Sequence, residues 1–410
     1  MLPRRRFHPE DHFSIGIPLN HSHGLACGDM IFVGGQVDLN PEAEVTTPGD
    51  LKAQTRIAME GIARVLDGLG ADLFDLVKLS AFYVTDGTVV ERDLLQEIAR
   101  HLPSGATPGP AITLVPLEAL AFPGMEIEIE AIAMRDQNGG RLPRAAAWIP
   151  DGAPLPPAFS QALRCGQLLF ASGQSALDDI DRIAEPGRLV AQSGIVLSKL
   201  DRLLHQLGGD LQDAVKANVF NVEPGHKEEW KEAALVRAGF YREPGPTATG
   251  ISLPRLSPEG LMVRTDVIAM RGLDGARLQR SHAWPSGHWD WPVHLPYRHG
   301  LRCGDLVFLG GQVSLAPDSR VVDPGDMEAQ THRAMRFIGR VLEELGLSFE
   351  NIVKANAFYT GQGNDAAELH QNLSIRSSYY GAAAPVSTGV PVPYLAYEEM
   401  VIEIDVVAMV

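Results

Sequence analysis

The stretches GLACGDMIFVGGQV (residues 24–37), ALRCGQLLFASGQS (162–175) and GLRCGDLVFLGGQV (300–313) lie 138 residues apart and align without a gap. All three cysteines of the chain, Cys27, Cys165 and Cys303, fall on one position of this stretch. Outward from it the interval persists: Gln54, Gln192 and Gln330, then Gly70, Gly208 and Gly346, then Lys78, Lys216 and Lys354. Each copy closes on a similar run, EIEIEAIAM (126–134), VRTDVIAM (263–270) or VIEIDVVAM (401–409). Self-similarity at a fixed period decides the architecture before any motif does. The unit is too long for a solenoid repeat, so one module is written three times. Its copies are expected at residues 1–136, 145–272 and 282–410, joined by Pro/Ala/Gly-rich linkers around 136–157 and 271–296.

Within the first module, MIFVGGQV is a short apolar strand whose Gly34-Gly35 pair signals a bulge or a close backbone approach. Pro48-Gly49-Asp50 precedes a helix, with Asp50 as N-cap. Ala58, Ile62, Val65, Leu66 and Leu69 form its apolar stripe, and Gly70 suits its C′ stop. A strand over 77–84, a helix over 89–101 and a strand over 125–134 follow. Strand, helix, strand, helix, strand makes an α+β unit of one sheet and two helices.

The chain has 410 residues, 45% hydrophobic and 21% charged, enough for several cores. Its 51 acidic against 35 basic residues, net −16, argue against a nucleic-acid partner, whose phosphates need cationic neutralisation. No apolar run approaches the ~18 residues of a membrane helix. The beginning MLPRRRFHPEDHF lacks a signal peptide's apolar stretch. Three cysteines build no disulfide framework. The expectation is a cytoplasmic protein with no membrane or nucleic-acid partner, no metal and no cofactor.

The order G-D-x-[IV]-F-x-[SG]-G-Q, an A-Q-T helix ending L-x-x-L-G, then V-K-x-x-x-F, P-x-x-T and E-I-E-A-I-A resembles the RidA/YjgF family, three times over. The resemblance implies an α+β fold of three tandem chorismate-mutase-like (RidA-like) modules forming an intramolecular pseudo-trimer, with small-molecule clefts between modules. It also implies a monomer, or at most a dimer, because the trimerising surface is used within the chain. The family's best-known members hydrolyse reactive imines and enamines to ketones and ammonia.

Carried over by position, the family's carboxylate-binding arginine in P-A-R-[ST] falls at Ile112, Ala248 and Ser387, so it is missing from all three modules. The serine before G-Q is Ser172, replaced by Gly34 and Gly310 elsewhere. The aromatic hydroxyl upstream of the first strand is Tyr297, against His21 and Phe159. The water-activating glutamate of the last strand is Glu128 and Glu403, against Arg264. The resemblance therefore makes Glu403, Glu128, Tyr297 and Ser387 the catalytic set and Gly310, Gly311, Ser172 and Arg264 the substrate-binding set.

Structural readings stand beside these. Each lysine of the repeated set packs its stem on the sheet with its head in water. The cysteines are small buried side chains, and His23 and His299 are hydrogen-bonded scaffold. The face of Glu126, Glu128 and Glu130 is solvated. Arg264 is either a relocated clamp or the partner of Asp266 or of an acid across the interface. Three functions are open: hydrolysis of a small imine, enamine or related C–N compound; binding of a small molecule without catalysis; and ring opening of a cyclic amide. The last has cyanuric acid hydrolase as its fold-level analogue and Ser387 with Lys354 as its pair.

Overall fold

The computed structural model describes residues 2–9, 11–105, 108–152, 155–222, 227–381 and 384–410. Module 1 runs β1 (Arg4–Phe7), β2 (Gly24–Cys27), β3 (Met30–Gln36), α1 (Leu51–Gly68), β4 (Leu76–Val84), α2 (Glu91–Arg100), β5 (Ala111–Leu117) and β6 (Ile127–Met134). Module 2 repeats this with β7 (Arg144–Ala147), β8 (Ala162–Cys165), β9 (Leu168–Ala171), β10 (Gln174–Ser175), α3 (Leu189–Gln206), β11 (Ala214–Val222), α4 (Lys227–Ala238), β12 (Thr247–Leu253) and β13 (Val263–Met270). Module 3 has β14 (Arg280–Ala283), β15 (Gly300–Cys303), β16 (Leu306–Val313), α5 (Met327–Glu344), β17 (Ile352–Thr360), α6 (Ala367–Tyr379), β18 (Val386–Val392) and β19 (Ile402–Met409).

Each module is one mixed sheet with two helices on one face. The strand order in module 1 is β1-β2-β3-β6-β4-β5, with β4 and β5 parallel and the other pairs antiparallel. Asp50 caps α1 as its position suggests, accepting from the Ala53 N–H at 3.0 Å. The glycine pair does break the ladder: pairing of β3 with β6 slips between Val33 and Gln36. In module 1 three strands, β1, β2 and β5, go beyond the five-element reading, and their equivalents recur in the other modules. β7 and β14 lie inside the stretches read as linkers and, at four residues each, are too short to show strand periodicity. The P-x-x-T segments open strands β5, β12 and β18, each with its first proline standing just before the strand. Residues 153 and 154 of the first expected linker lie outside the described residues.

The helix-free faces of the three sheets turn toward one another. One shared core gathers Leu25, Leu163 and Leu301 with the three cysteines, and another gathers Phe82, Phe220 and Phe358. The edge strand of each module lies against the hairpin of the next: β5 on β9, β12 on β16, and β18 on β3, which closes a ring. Lys78 Nζ reaches Thr113 Oγ1 at 2.6 Å and Asp266 at 3.1 Å; Lys216 reaches Thr249 at 2.6 Å and Asp405 at 3.0 Å. Lys354 reaches Glu130 at 2.7 Å. Every one of these ion pairs joins one module to the next, and the lysines are only 5–6% exposed. The expectation of lysine heads in water is corrected: the faces they stand on meet at the centre of the ring, where a charge needs a partner. The same packing corrects the solvated acidic face, since Glu128 and Glu130 are buried.

Candidate functional site

The ring has three inter-module clefts, each built where the edge strand and second helix of one module meet the inner face of the next. In the 3–1 cleft, Ser387 and Gly389 of β18 and Arg376 of α6 face Gly34, Gly35 and Glu128 of module 1 across a cavity of about 230 Å³. Residues between β1 and β2 cover it with Phe13, Ile15, Leu19 and His21. In the 2–3 cleft, Arg237 and Ala248 face Gly311, Tyr297 and Glu403 around about 90 Å³, walled by Trp230, Trp289 and Trp291. The 1–2 cleft is a broad groove of about 1140 Å³ with Ile112 and Glu91 on one side and Gly173 and Arg264 on the other.

The expected catalytic set is therefore divided. Tyr297 and Glu403 share the 2–3 cleft, whereas Ser387, although in the same module, faces Glu128 in the 3–1 cleft. The reason is topological: β18 is an edge strand, so it serves the neighbour's cleft rather than its own.

The glycine pairs place the glutamates. A Cβ on Gly35 would stand 1.7 Å from Glu128 Oε1, and one on Gly311 would stand 1.7 Å from Glu403 Oε1. Only a bare backbone lets the carboxyl lie there. Gly34 and Gly310 admit the neighbour's edge strand, since a Cβ would fall 2.9 Å from the Ser387 oxygen or 2.7 Å from the Ala248 oxygen. Neither Gly34 nor Gly310 offers a free N–H, for these donate to His23 and His299 carbonyls at 3.0 Å.

Burial raises Glu128 to about 8, helped by the adjacent Glu130 charge and opposed by Lys354. Glu403 is likewise raised to about 8 by burial and Asp405, against Lys216. Both are thus mostly neutral acids at pH 7, able to give and retake a proton. His21 is lowered to about 4 by burial and by Arg376, and hydrogen-bonds the Pro385 carbonyl and Ser377 Oγ, each at 3.0 Å. His23 is lowered to about 3 by burial and by His12 and His8, so both imidazoles are neutral. Burial raises Tyr297, whose hydroxyl is shared with the Arg237 guanidinium.

Module 2 differs. Arg264 makes a bidentate pair with Glu91, both distances 2.7 Å, and also donates to the Leu114 carbonyl at 2.6 Å. Of its alternatives, the acid across the interface is the one realised. Ser172 Oγ accepts from the Ile112 N–H at 2.9 Å and donates to the Ser160 carbonyl at 2.7 Å. That hydroxyl closes the 1–2 interface. Ser387 and Lys354 cannot form a pair: on parallel strands Lys354 is level with Val386 and Ser387 with Ala355, so alternation puts them on opposite faces. The cysteines are buried and free. Among the described residues no His, Cys, Asp and Glu group could hold a metal ion, and no helix is long and apolar enough to cross a membrane.

Two functional-looking arginines escaped the sequence reading. Arg376 is fully buried and Arg237 is 5% exposed, each near the C-terminal end of the second helix of its module. The signal was present as RAGFY (237–241) and RSSYY (376–380), each ending five residues before the proline that precedes the edge strand.

The Endoribonuclease L-PSP family matches residues 17–135, 153–271 and 291–410. A RutC family protein of Pyrococcus abyssi is 30% identical over 113 residues, which are 28% of this chain and 85% of that protein. The mouse 2-iminobutanoate/2-iminopropanoate deaminase is 25% identical over 111 residues, 25% of this chain and 82% of the deaminase. A chorismatase crystal structure superposes with a TM-score of 0.55 at 14% identity, covering 82% of this chain and 93% of that one, a likeness of fold alone. With three matched stretches spanning most of its length, each on its own sheet, the chain belongs to the Endoribonuclease L-PSP (RidA/YjgF) family as three tandem copies.

Proposed function

We propose that the protein hydrolyses a small imine, enamine or related C–N compound in the 3–1 cleft, with Glu128 as the proton-transferring group. The carrying observation is a buried carboxyl raised to about 8, lying on a glycine corner and facing a cavity of about 230 Å³. A neutral carboxyl protonates the imine nitrogen, and the carboxylate so formed takes a proton from the water that attacks carbon. The carboxyl then protonates the amine of the resulting carbinolamine. Ammonia leaves as the hydroxyl proton departs and the C=O forms, so one water is consumed per ketone and ammonia released. The mouse relative, named for 2-imino acid deamination, supports this reaction class. Glu403 has the same carboxyl in a cavity of about 90 Å³, which favours Glu128 for any but the smallest substrate. The name Endoribonuclease speaks of RNA cleavage, but a net charge of −16 offers a polyanion little attraction.

The test is ammonia release from imines generated in situ, 2-iminopropionate and bulkier ones, by wild type, Glu128→Gln and Glu403→Gln. Glu128→Gln is expected to lose about 10²–10⁴ in rate. Because the acid form does the work, wild-type rate should fall as pH rises through about 8. Equal rates in both variants and wild type would sink the role. Ligand-induced thermal shifts without ammonia release would favour binding alone.

A further inference from the structure

Loss of the strand arginine leaves open whether the ligand of the 3–1 cleft carries a negative charge. The helix beside that strand answers it. Arg376 Nε donates to Asn372 Oδ1 at 3.1 Å and Nη1 donates to Ser387 Oγ at 3.0 Å. Nη2 is buried with no hydrogen-bond partner, and the residue lines the cavity. Among the described residues no carboxylate pairs with this fully buried cation. The Tyr359 and Tyr380 hydroxyls, close enough to interact electrostatically with it, are also buried without partners. A buried charge without a counter-ion is strongly disfavoured, so the cleft is incomplete without an anion.

We infer that Arg376 anchors a carboxylate on the molecule that enters the 3–1 cleft, the guanidinium having moved from the edge strand to α6. Its contact with Ser387 carries the point, because Ser387 occupies the strand position from which the arginine is missing. Asn372, held in turn by the Glu368 carbonyl at 2.6 Å, fixes the guanidinium plane. The same chain shows what a satisfied arginine looks like: Arg264 has Glu91 on both of its terminal nitrogens. Phe13, Ile15, Leu19 and Phe122 give the cavity an apolar wall, beside the polar side made by Glu128, His21 and His23. A cavity of about 150 Å³ accepts benzene, so this volume suits roughly nine heavy atoms. The ligand class is a carboxylic acid with a branched aliphatic or small aromatic tail.

This inference rests on the 3–1 cleft being the ligand site, and it is testable apart from hydrolysis. The probe is 4-methyl-2-oxopentanoate, a stable ketone counterpart of an imino acid, compared with neutral 4-methyl-2-pentanone by calorimetric titration. The acid should bind saturably and the ketone far more weakly. Arg376→Gln should weaken the acid about 10- to 100-fold without changing the ketone. The double variant Arg376→Ser with Ser387→Arg, which returns the guanidinium to the strand, should recover much of the acid's affinity. Equal affinity for acid and ketone in the wild type overturns the inference, and needs no variant to fold. So does acid binding that survives in folded Arg376→Gln. If the acid binds through Arg376 but no imine releases ammonia, the anchor stands and hydrolysis falls; if ammonia release survives Arg376→Gln with KM unchanged, the reverse holds.

Discussion

The 3–1 and 1–2 clefts occupy equivalent places in the ring and each contains a buried arginine, yet they have opposite electrostatic completeness. Arg264 is neutralised by Glu91 from the neighbouring module, and the Tyr83 hydroxyl also donates to that carboxylate at 2.8 Å. Arg376 has only neutral oxygens, and the carboxyl that shares its cavity is mostly protonated at pH 7. One cleft is a finished ion pair; the other is finished only by something that enters it. Three copies in one chain can diverge in this way because a substitution in one module touches one cleft, not three.

The sharpest way to break the comparison is to remove the counter-ion where it exists. Glu91→Gln leaves Arg264 buried beside a neutral amide and should cost about 3–5 kcal/mol of stability, the usual penalty for orphaning one member of a buried pair. Arg376→Gln, which removes a cation that has no counter-ion, should be neutral or stabilising by urea unfolding. Similar losses in both variants would mean that Arg376 has a partner the comparison overlooks.

A second, smaller effect is the pH dependence of stability. Glu128 and Glu403 stand at about 8 in the folded chain against an ordinary 4.5, while the equivalent strand position in module 2 is Arg264. A raised folded value means that the stability contribution is complete below about 4.5 and lost as pH climbs through 8. Each carboxyl adds a slope of up to about 1.4 kcal/mol per pH unit in that window. Urea midpoints should therefore fall from pH 5 to pH 8, and the double variant Glu128→Gln with Glu403→Gln should flatten the curve. A wild-type curve that is already flat would show that neither carboxyl is held neutral.

Much of the fold was legible because it was written three times. The Asp50 cap, the Gly34-Gly35 irregularity and the apolar stripe of α1 are local signals, and local signals survive in a single sequence. What failed was everything set by the ring. Lys78 and Glu128 read as surface residues because strand alternation says which side chains share a face, not whether that face meets another sheet. Ser387 was grouped with Tyr297 and Glu403 because sequence order groups by module, whereas an edge strand serves its neighbour. Arg376 was missed for a related reason: its chemistry is defined by Ser387 eleven residues away and by a cavity half built from module 1.

The smallest expected effect tests whether Ser172 serves the 1–2 interface as scaffold alone. Ser172 stands where the other modules have Gly34 and Gly310, and its hydroxyl joins the Ile112 N–H of module 1 to the Ser160 carbonyl of its own module. Ser172→Ala removes both bonds while keeping the Cβ that the site already accommodates. Ile112 N–H then lies buried without that acceptor, which should cost about 1–2 kcal/mol. The loss is local to an interface that, among the described residues, holds no proton-active carboxyl of the Glu128 kind, so ammonia release should be unchanged. The two outcomes separate cleanly when stability and rate are measured on the same preparation. A drop in midpoint with full activity assigns Ser172 to the scaffold; a drop in activity at full stability would return it to substrate binding and reopen the 1–2 cleft as a place of chemistry.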